Sequence, residues 1–362
     1  MLYRLLLSFR DAFSGFNVFR YITFRAALAA ITTFFICVVF GERLIRRLAA
    51  LRVCETVRPK EEVRGLYDLH HHKQGTPTMG GLIIVGAVVA AMLLWGDLTN
   101  RYVLLTLLAT LWLGVVGFID DYIKLRFRRR GLSARAKFLG QVVLGLTLGV
   151  FVYLDPSVPT TLDVPFFKNA VVNLGLFYIV FVMFVVVGTS NAVNLTDGLD
   201  GLAVGCILIV AFCYGILSYL SGNAQFSQYL IIPYIDGAGE LAVFCAAMVG
   251  VCLGFLWFNC YPAAVFMGDV GALALGGAIG VVAVLIKKEL LLVVVGGVFV
   301  AEALSVILQV ASFKLRKKRI LRMAPLHHHF QMLGWPEPKV IVRFWIIAVI
   351  LAFFTLATLK LR

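Results

Sequence analysis

The chain has 362 residues, of which 61% are hydrophobic and only 14% charged. That balance excludes a string of soluble domains and defines a membrane protein, so the formal charge of +14 is read by its position and not as a nucleic-acid signal. Crossing hydrocarbon takes about 20 mostly apolar helical residues, because lipid offers no partner to backbone N–H and C=O groups.

The first segment, 1–20, reads as an amphipathic interfacial helix, since Arg4, Arg10 and Asp11 interrupt its apolar run and no small-residue cleavage site follows. Ten apolar stretches then meet the spanning test, near 21–41, 79–96, 102–119, 138–154, 173–190, 202–220, 239–258, 264–286, 290–310 and 341–359. The expected fold is all-α: one polytopic domain over 1–362 with ten transmembrane helices. Between spans four and five, "DPSVPTTLDVPFF" carries turn and β-branched residues that suit a short hairpin over about 155–172. The seven cysteines lie mostly inside apolar spans without CxxC spacing and read as reduced packing residues.

Charge placement orients the chain. The loops 42–78, 120–137 and 311–343 hold eight, seven and eight Lys and Arg, whereas the even-numbered loops hold only Arg101, Lys168, Lys287 and Lys288. Basic loops mark the cytoplasmic side, so the odd loops face the cytoplasm and both termini face out. Five cytoplasmic loops then share one membrane face.

Polar groups in so apolar a chain need partners or water, so the loops that carry them are informative. Loop one offers "KQGTPTMGG", in which Lys73 and Thr78 flank a Gly-rich turn whose N–H groups could meet phosphate at the start of span two. Span three ends in "FIDDYIK", where Asp120 and Asp121 point in different directions on a helix, so that one could hold a metal and the other face a substrate. An ordinary interfacial cap is the plain alternative. In "SNAVNLTDGLDG", Asn194, Asp197 and Asp200 are three apart and would stack on one helical face, suited to Mg²⁺ and nucleoside hydroxyls. "FNCYPAAVFMGDVG" brings Asn259, Phe266 and Asp269 to the start of span eight, and Glu302 lies within span nine. By loop parity the acids of loops three, five and seven share one face, which points to a single carboxylate-lined, phosphate-attracting cavity suited to phosphoryl transfer.

All six histidines sit in two triplets. His70, His71 and His72 read as a solvated loop feature, while "MAPLHHHF" places His327, His328 and His329 on the face of the acids. Three adjacent side chains rarely converge on one zinc ion and no cysteine lies near in sequence, so this triplet reads as a polar, protonatable loop for phosphate or sugar.

Together "KQGTPTMGG", "FIDDYIK", "NAVNLTDGLDGLA", "FNCYPAAVFMGDVGALALGG", "MAPLHHHF" and "GWPEPKVIVRFW" resemble the phospho-N-acetylmuramoyl-pentapeptide transferase family, of the polyprenyl-phosphate N-acetylhexosamine-1-phosphate (glycosyltransferase 4) superfamily. The resemblance spans about residues 16–362. It implies transfer of phospho-MurNAc-pentapeptide from UDP-MurNAc-pentapeptide to undecaprenyl phosphate, giving lipid I and UMP, at the cytoplasmic face of the bacterial inner membrane. It also implies a homodimer, Mg²⁺ as cofactor and no nucleic-acid partner. Carried over by motif, Asp269 and Asp121 are the metal ligands. Asp120 is the base or lipid-phosphate activator; within the histidine loop, His328, the middle of the three, is the one expected to contact substrate directly. Lys73, Gly198, Leu199, Asp200, Asn259 and Phe266 line the uridine pocket. Thr78, Asn194, Asp197, Gln309, His327 and His329 face the rest of the nucleotide sugar, with Lys124 and Lys137 as phosphate partners. Two positions depart from the family pattern: Gln331 stands where Glu is expected, and Ala272 where Ser is common. A transferase of GlcNAc-1-phosphate onto the same lipid is the nearest alternative. A secondary transporter is the distant one, since transporters place coupling charges near the midplane in broken helices.

Overall fold

The computed structural model describes residues 2–11, 13–51, 53–54, 73–127, 131–164, 167 and 171–360. His70 to His72 and Lys168 lie outside the described residues. The N-terminal segment is two pieces and not one helix: α1 covers Leu2–Ser8, and a separate 3-10 turn covers Ser14–Arg20. Helix α1 ends at Ser8, a poor helix former whose hydroxyl bonds back to the Arg4 carbonyl, and the stretch that follows carries the charged Arg10 and Asp11. Arg4 pins α1 through ion pairing with Asp97 at 2.7 Å, and the Arg25 guanidinium lies 4.4 Å over the Tyr3 ring while pairing with Glu240.

The main helices follow as α2 Ile22–Ala50, α3 Gly81–Trp95, α4 Arg101–Phe127, α5 Ala134–Leu154, α6 Phe177–Thr196, α7 Leu202–Ser221, α8 Ala224–Leu230, α9 Leu241–Asn259, α10 Gly268–Leu285, α11 Glu289–Val295, α12 Gly297–Arg316, α13 Leu326–Met332 and α14 Glu337–Ala357. Among the described residues, nine helices are long and apolar enough to cross a membrane. The stretch expected as span two forms α3, whose 15 residues reach only about 22 Å. The stretch expected as span nine is divided at Gly296 into α11 and α12.

At the centre stands α10, packed by α3, α4, α6 and α7. Its apolar stretch is 89% buried, against 22% for α2 and for α12. The sequence "GDVGALALGGAIG" explains this: Gly and Ala at every turn let neighbouring backbones approach closely, the packing that replaces a hydrophobic driving force inside lipid. Along its roughly 27 Å, α10 carries Asp269 at one end and leads into Lys287 at the other.

Around the Lys287 end, β1 (Thr161–Asp163) pairs antiparallel with β2 (Val171–Asn173), Leu162 opposite Val172. Lys288 holds this hairpin through Asp163 at 3.6 Å. The Lys287 ammonium donates to the Tyr178 hydroxyl at 2.7 Å and to Glu289 at 2.9 Å. Burial pushes Lys287 below its usual range, partly offset by Glu289.

Candidate active site

Asp120 and Asp121 lie near the C-terminal end of α4 and Asp269 in the first turn of α10, where the helix dipole favours negative charge. One oxygen from each carboxylate lies within 4.8 Å of the others. Lys124, one turn beyond Asp120, places Nζ 2.7 Å from Asp120 Oδ2, 3.3 Å from Asp121 Oδ1 and 2.7 Å from Asp269 Oδ2. From the start of α5, Lys137 reaches Asp269 at 2.8 Å and Asp120 at 3.6 Å. The adjacent aspartates share Lys124 but face different backbones: Asp120 Oδ1 accepts from Leu132 N–H at 2.7 Å, and Asp121 Oδ2 from Val270 N–H at 3.3 Å.

Two glycines set this convergence. A Cβ on Gly117 would lie 2.3 Å from the Asp269 carbonyl oxygen, and one on Gly81 would lie 2.1 Å from Gly271 N. Only glycine lets α4 and α3 close on the first turn of α10 from both sides, so that its carboxylate meets those of α4.

Gly80 and Gly81, at the end of the Gly-rich turn of loop one, serve this packing. Gly80 and Gly81 N–H donate to the carbonyls of Phe266 and Met267 at 2.9 and 2.8 Å, and Phe266 N–H donates to Pro77 at 2.8 Å. The Gly80 and Gly81 amides are therefore consumed in joining loop one to loop seven. Thr78 remains at the acid centre: its hydroxyl and Asp121 Oδ2 both flank Gly268, 3.2 and 2.7 Å from where a Cβ would stand.

Beside the acids lies a second, buried charge cluster. Lys73 Nζ bridges Asp200 and Glu337, each at 2.6 Å. Glu337 also accepts Asp200 N–H at 3.0 Å, and Asp200 Oδ2 accepts Ala263 N–H at 3.0 Å. Asn259 completes it, accepting from Gly201 N–H at 3.1 Å and donating to the Val265 carbonyl at 2.8 Å. Loops one, five, seven and nine are stitched together here. Leu199 is buried beside them, and Phe266 is half-buried.

Asn194, Asp197 and Asp200 do not share a helical face. Helix α6 stops at Thr196, and the chain turns through Gly201 at φ +76°, a left-handed conformation that glycine adopts without strain. Asn194 and Asp197 remain half-buried at the end of α6, while Asp200 joins the Lys73 cluster. Gln309 is spent on its own loop: its Oε1 accepts from Ile320 and Leu321 N–H at 3.0 Å, and its Nε2 donates to the Leu321 carbonyl at 3.0 Å.

The second histidine triplet opens α13. His327 is fully buried, with Nδ1 3.2 Å from Glu302 Oε2. His328 is 9% exposed and pairs through Nδ1 with Gln331 Oε1 at 2.9 Å, while His329 Nδ1 accepts from Arg322 N–H at 3.2 Å. Total burial puts His327 behind the site surface. Glu337 has no role among the motif residues although "GWPEP" contains it; a carboxylate opening an apolar helix is the signal that marks it.

Chemically, three convergent oxygen donors fit a hard divalent cation, and two flanking ammonium groups suit phosphate. The comparisons agree with that chemistry. Residues 103–287 match Glycosyl transferase family 4, which defines the class. Residues 73–85 match phospho-N-acetylmuramoyl-pentapeptide-transferase signature 1, across Lys73, Thr78 and the Gly-rich turn. Curated relatives of that name from Thermodesulfovibrio yellowstonii and Desulfosudis oleivorans are each 53% identical over the whole of both chains. A third, from Citrifermentans bemidjiense, is also 53% identical over full length. This chain belongs to the phospho-N-acetylmuramoyl-pentapeptide-transferase family.

Proposed function

We propose that this protein transfers phospho-MurNAc-pentapeptide from UDP-MurNAc-pentapeptide to undecaprenyl phosphate, giving lipid I and UMP, at the cytoplasmic face of the bacterial inner membrane. The observation that carries the reading is the Asp120, Asp121 and Asp269 cluster with Lys124 and Lys137 at its mouth.

Asp269 and Asp121 would hold Mg²⁺, which would supply positive charge against the diphosphate oxygens. Asp120 takes the remaining proton of the lipid phosphate, whose oxygen attacks the sugar-linked phosphorus. The bond from that phosphorus to the bridging oxygen breaks, and UMP leaves with the electron pair. Lys124 and Lys137 move from carboxylate to phosphate partners as the substrate brings its own negative charge. Phosphoryl transfer needs little covalent help, so positioned charges of this kind are sufficient catalysts. Behind them, the cluster of Lys73, Asp200, Asn259 and Glu337 shapes the uridine pocket, with Phe266 stacking on the base. Gly198 and Leu199 supply its loop. His328, with its exposed edge, meets the pyrophosphate or sugar, and His329, Thr78, Asn194 and Asp197 face the same substrate.

The test supplies purified protein with undecaprenyl phosphate, Mg²⁺ and either UDP-MurNAc-pentapeptide or UDP-GlcNAc, and measures UMP. Release from the first supports the reading, whereas release from UDP-GlcNAc alone replaces it with the GlcNAc-1-phosphate transfer.

A further inference from the structure

Glu302 has no exposed surface and lies in the apolar stretch of α12, a place where a carboxylate is costly unless satisfied. Its satisfaction comes from the histidine segment. Oε2 accepts Leu326 N–H at 2.7 Å and Oε1 accepts His327 N–H at 3.1 Å, so a side chain from α12 caps the first turn of α13. The same carboxylate lies 3.2 Å from His327 Nδ1. On the far side of the ring, a Cβ on Gly198 would stand 2.3 Å from His327 Nε2. Among the described residues neither ring nitrogen makes a hydrogen bond, and both are buried. The imidazole is therefore a spacer, with Glu302 beside one edge and bonded to the His327 backbone, and the Asp197–Asp200 turn against the other.

We infer that Glu302 is a positioning residue for the nucleotide substrate, acting through His327 on Gly198. The inference rests on the proposed assignment of the Gly198–Asp200 turn to the uridine pocket. Glu302 touches no substrate in this arrangement. It fixes how deeply α13 sits and, through the incompressible imidazole, where the turn that ends in Asp200 stands relative to Lys73.

The test compares wild type with Glu302→Gln, Gly198→Ala, the double variant of these two, and Gly198→Ala/His327→Ala. KM for each substrate and kcat are measured, with UMP binding by calorimetry as a readout free of turnover. The glutamine side chain retains only one acceptor oxygen and no charge. Glu302→Gln is expected to raise KM for the UDP-sugar and weaken UMP binding on the order of tenfold. The KM for undecaprenyl phosphate stays unchanged, and kcat stays within about threefold. Gly198→Ala gives the same split, the Glu302→Gln/Gly198→Ala double variant is no worse than the poorer single one, and removing the His327 ring restores UMP affinity to Gly198→Ala. Equal losses for both substrates, multiplicative single effects, or no recovery on removing the ring would overturn the inference. If wild type binds UMP but transfers only GlcNAc-1-phosphate, the proposed activity fails while the same UMP comparison still decides the coupling.

Discussion

Lys124 is the resident cation of the acid centre, and replacing it with Met separates structural neutralisation from catalysis. Lys124 touches all three carboxylates, and Lys137 touches only Asp120 and Asp269. Two unit charges 4.8 Å apart, the outer limit of the cluster, repel by about 3.5 kcal/mol at an effective dielectric constant of 20. The Lys124 side chain is 41% exposed, so solvent screening reduces the effect of its loss to about 2 kcal/mol. A divalent cation at a hundred times its dissociation constant returns about 2.7 kcal/mol by mass action. Lys124→Met is therefore expected to melt a few degrees below wild type in EDTA and to regain that difference in Mg²⁺, while transfer stays depressed for want of the phosphate partner. Thermal unfolding in detergent, scanned against Mg²⁺, provides the measurement. A variant with wild-type melting in EDTA, or with no larger Mg²⁺ response than wild type, would refute the counter-ion reasoning.

Asp269→Ala should abolish UMP release by removing a metal ligand, and near-normal turnover at saturating Mg²⁺ would remove that assignment. Gly117→Ala should cost about 1–3 kcal/mol through overpacking against the Asp269 carbonyl and weaken Mn²⁺ binding followed by paramagnetic resonance; unchanged Mn²⁺ affinity would show that the α4–α10 approach does not set the site. Glu337→Gln leaves Lys73 with Asp200 alone, and removing one partner from a buried ion cluster costs about 3–5 kcal/mol, visible as a lower melting temperature insensitive to Mg²⁺. Burial would raise the Asp97 carboxyl, but hydrogen bonds from the Thr99 N–H and hydroxyl and from Arg4 outweigh it and hold the carboxyl below its usual range. A carboxylate lowered on folding stabilises fully above its unfolded value of about 3.9 and loses that contribution as pH falls through the folded value. Amide exchange in α1 should therefore accelerate only below about pH 4, and Asp97→Asn should remove this dependence.

Asp120, Asp121 and Asp269 stand out in the sequence because the surrounding residues are apolar, and the structure gathers all three. Of their lysine partners, Lys124 sits on the same helix end as Asp120 and Asp121, whereas Lys137 comes from the start of α5 and is implied only by the family resemblance. Gly80 and Gly81 mislead for a physical reason: their N–H groups are claimed by carbonyls far away in sequence, in loop seven, and no local pattern reveals such a partner. The Asn194–Asp200 spacing also suggests a continuous helix, whereas α6 stops at Thr196 and the left-handed Gly201 starts the next helix in a new direction. Glu302 is visible as an isolated acid, but its task depends on a histidine segment that folds back against α12. Apolar composition alone marks the α3 stretch as a span; the helix is only 15 residues long, and its first-turn glycine Gly81 commits it to close contact with α10.

The enclosure of α10 has a consequence for how a long polyprenyl chain reaches the reaction centre. With α3, α4, α6 and α7 around it, the helix bearing Asp269 forms a fixed floor that cannot yield without disturbing the whole bundle. Accommodation of the bulky lipid then falls to the rim, where α2, α12 and α14 bury only 22%, 22% and 28% of their apolar stretches. The division separates tolerances: the floor admits almost no change in side-chain volume, while the rim is free to vary with the membrane around it.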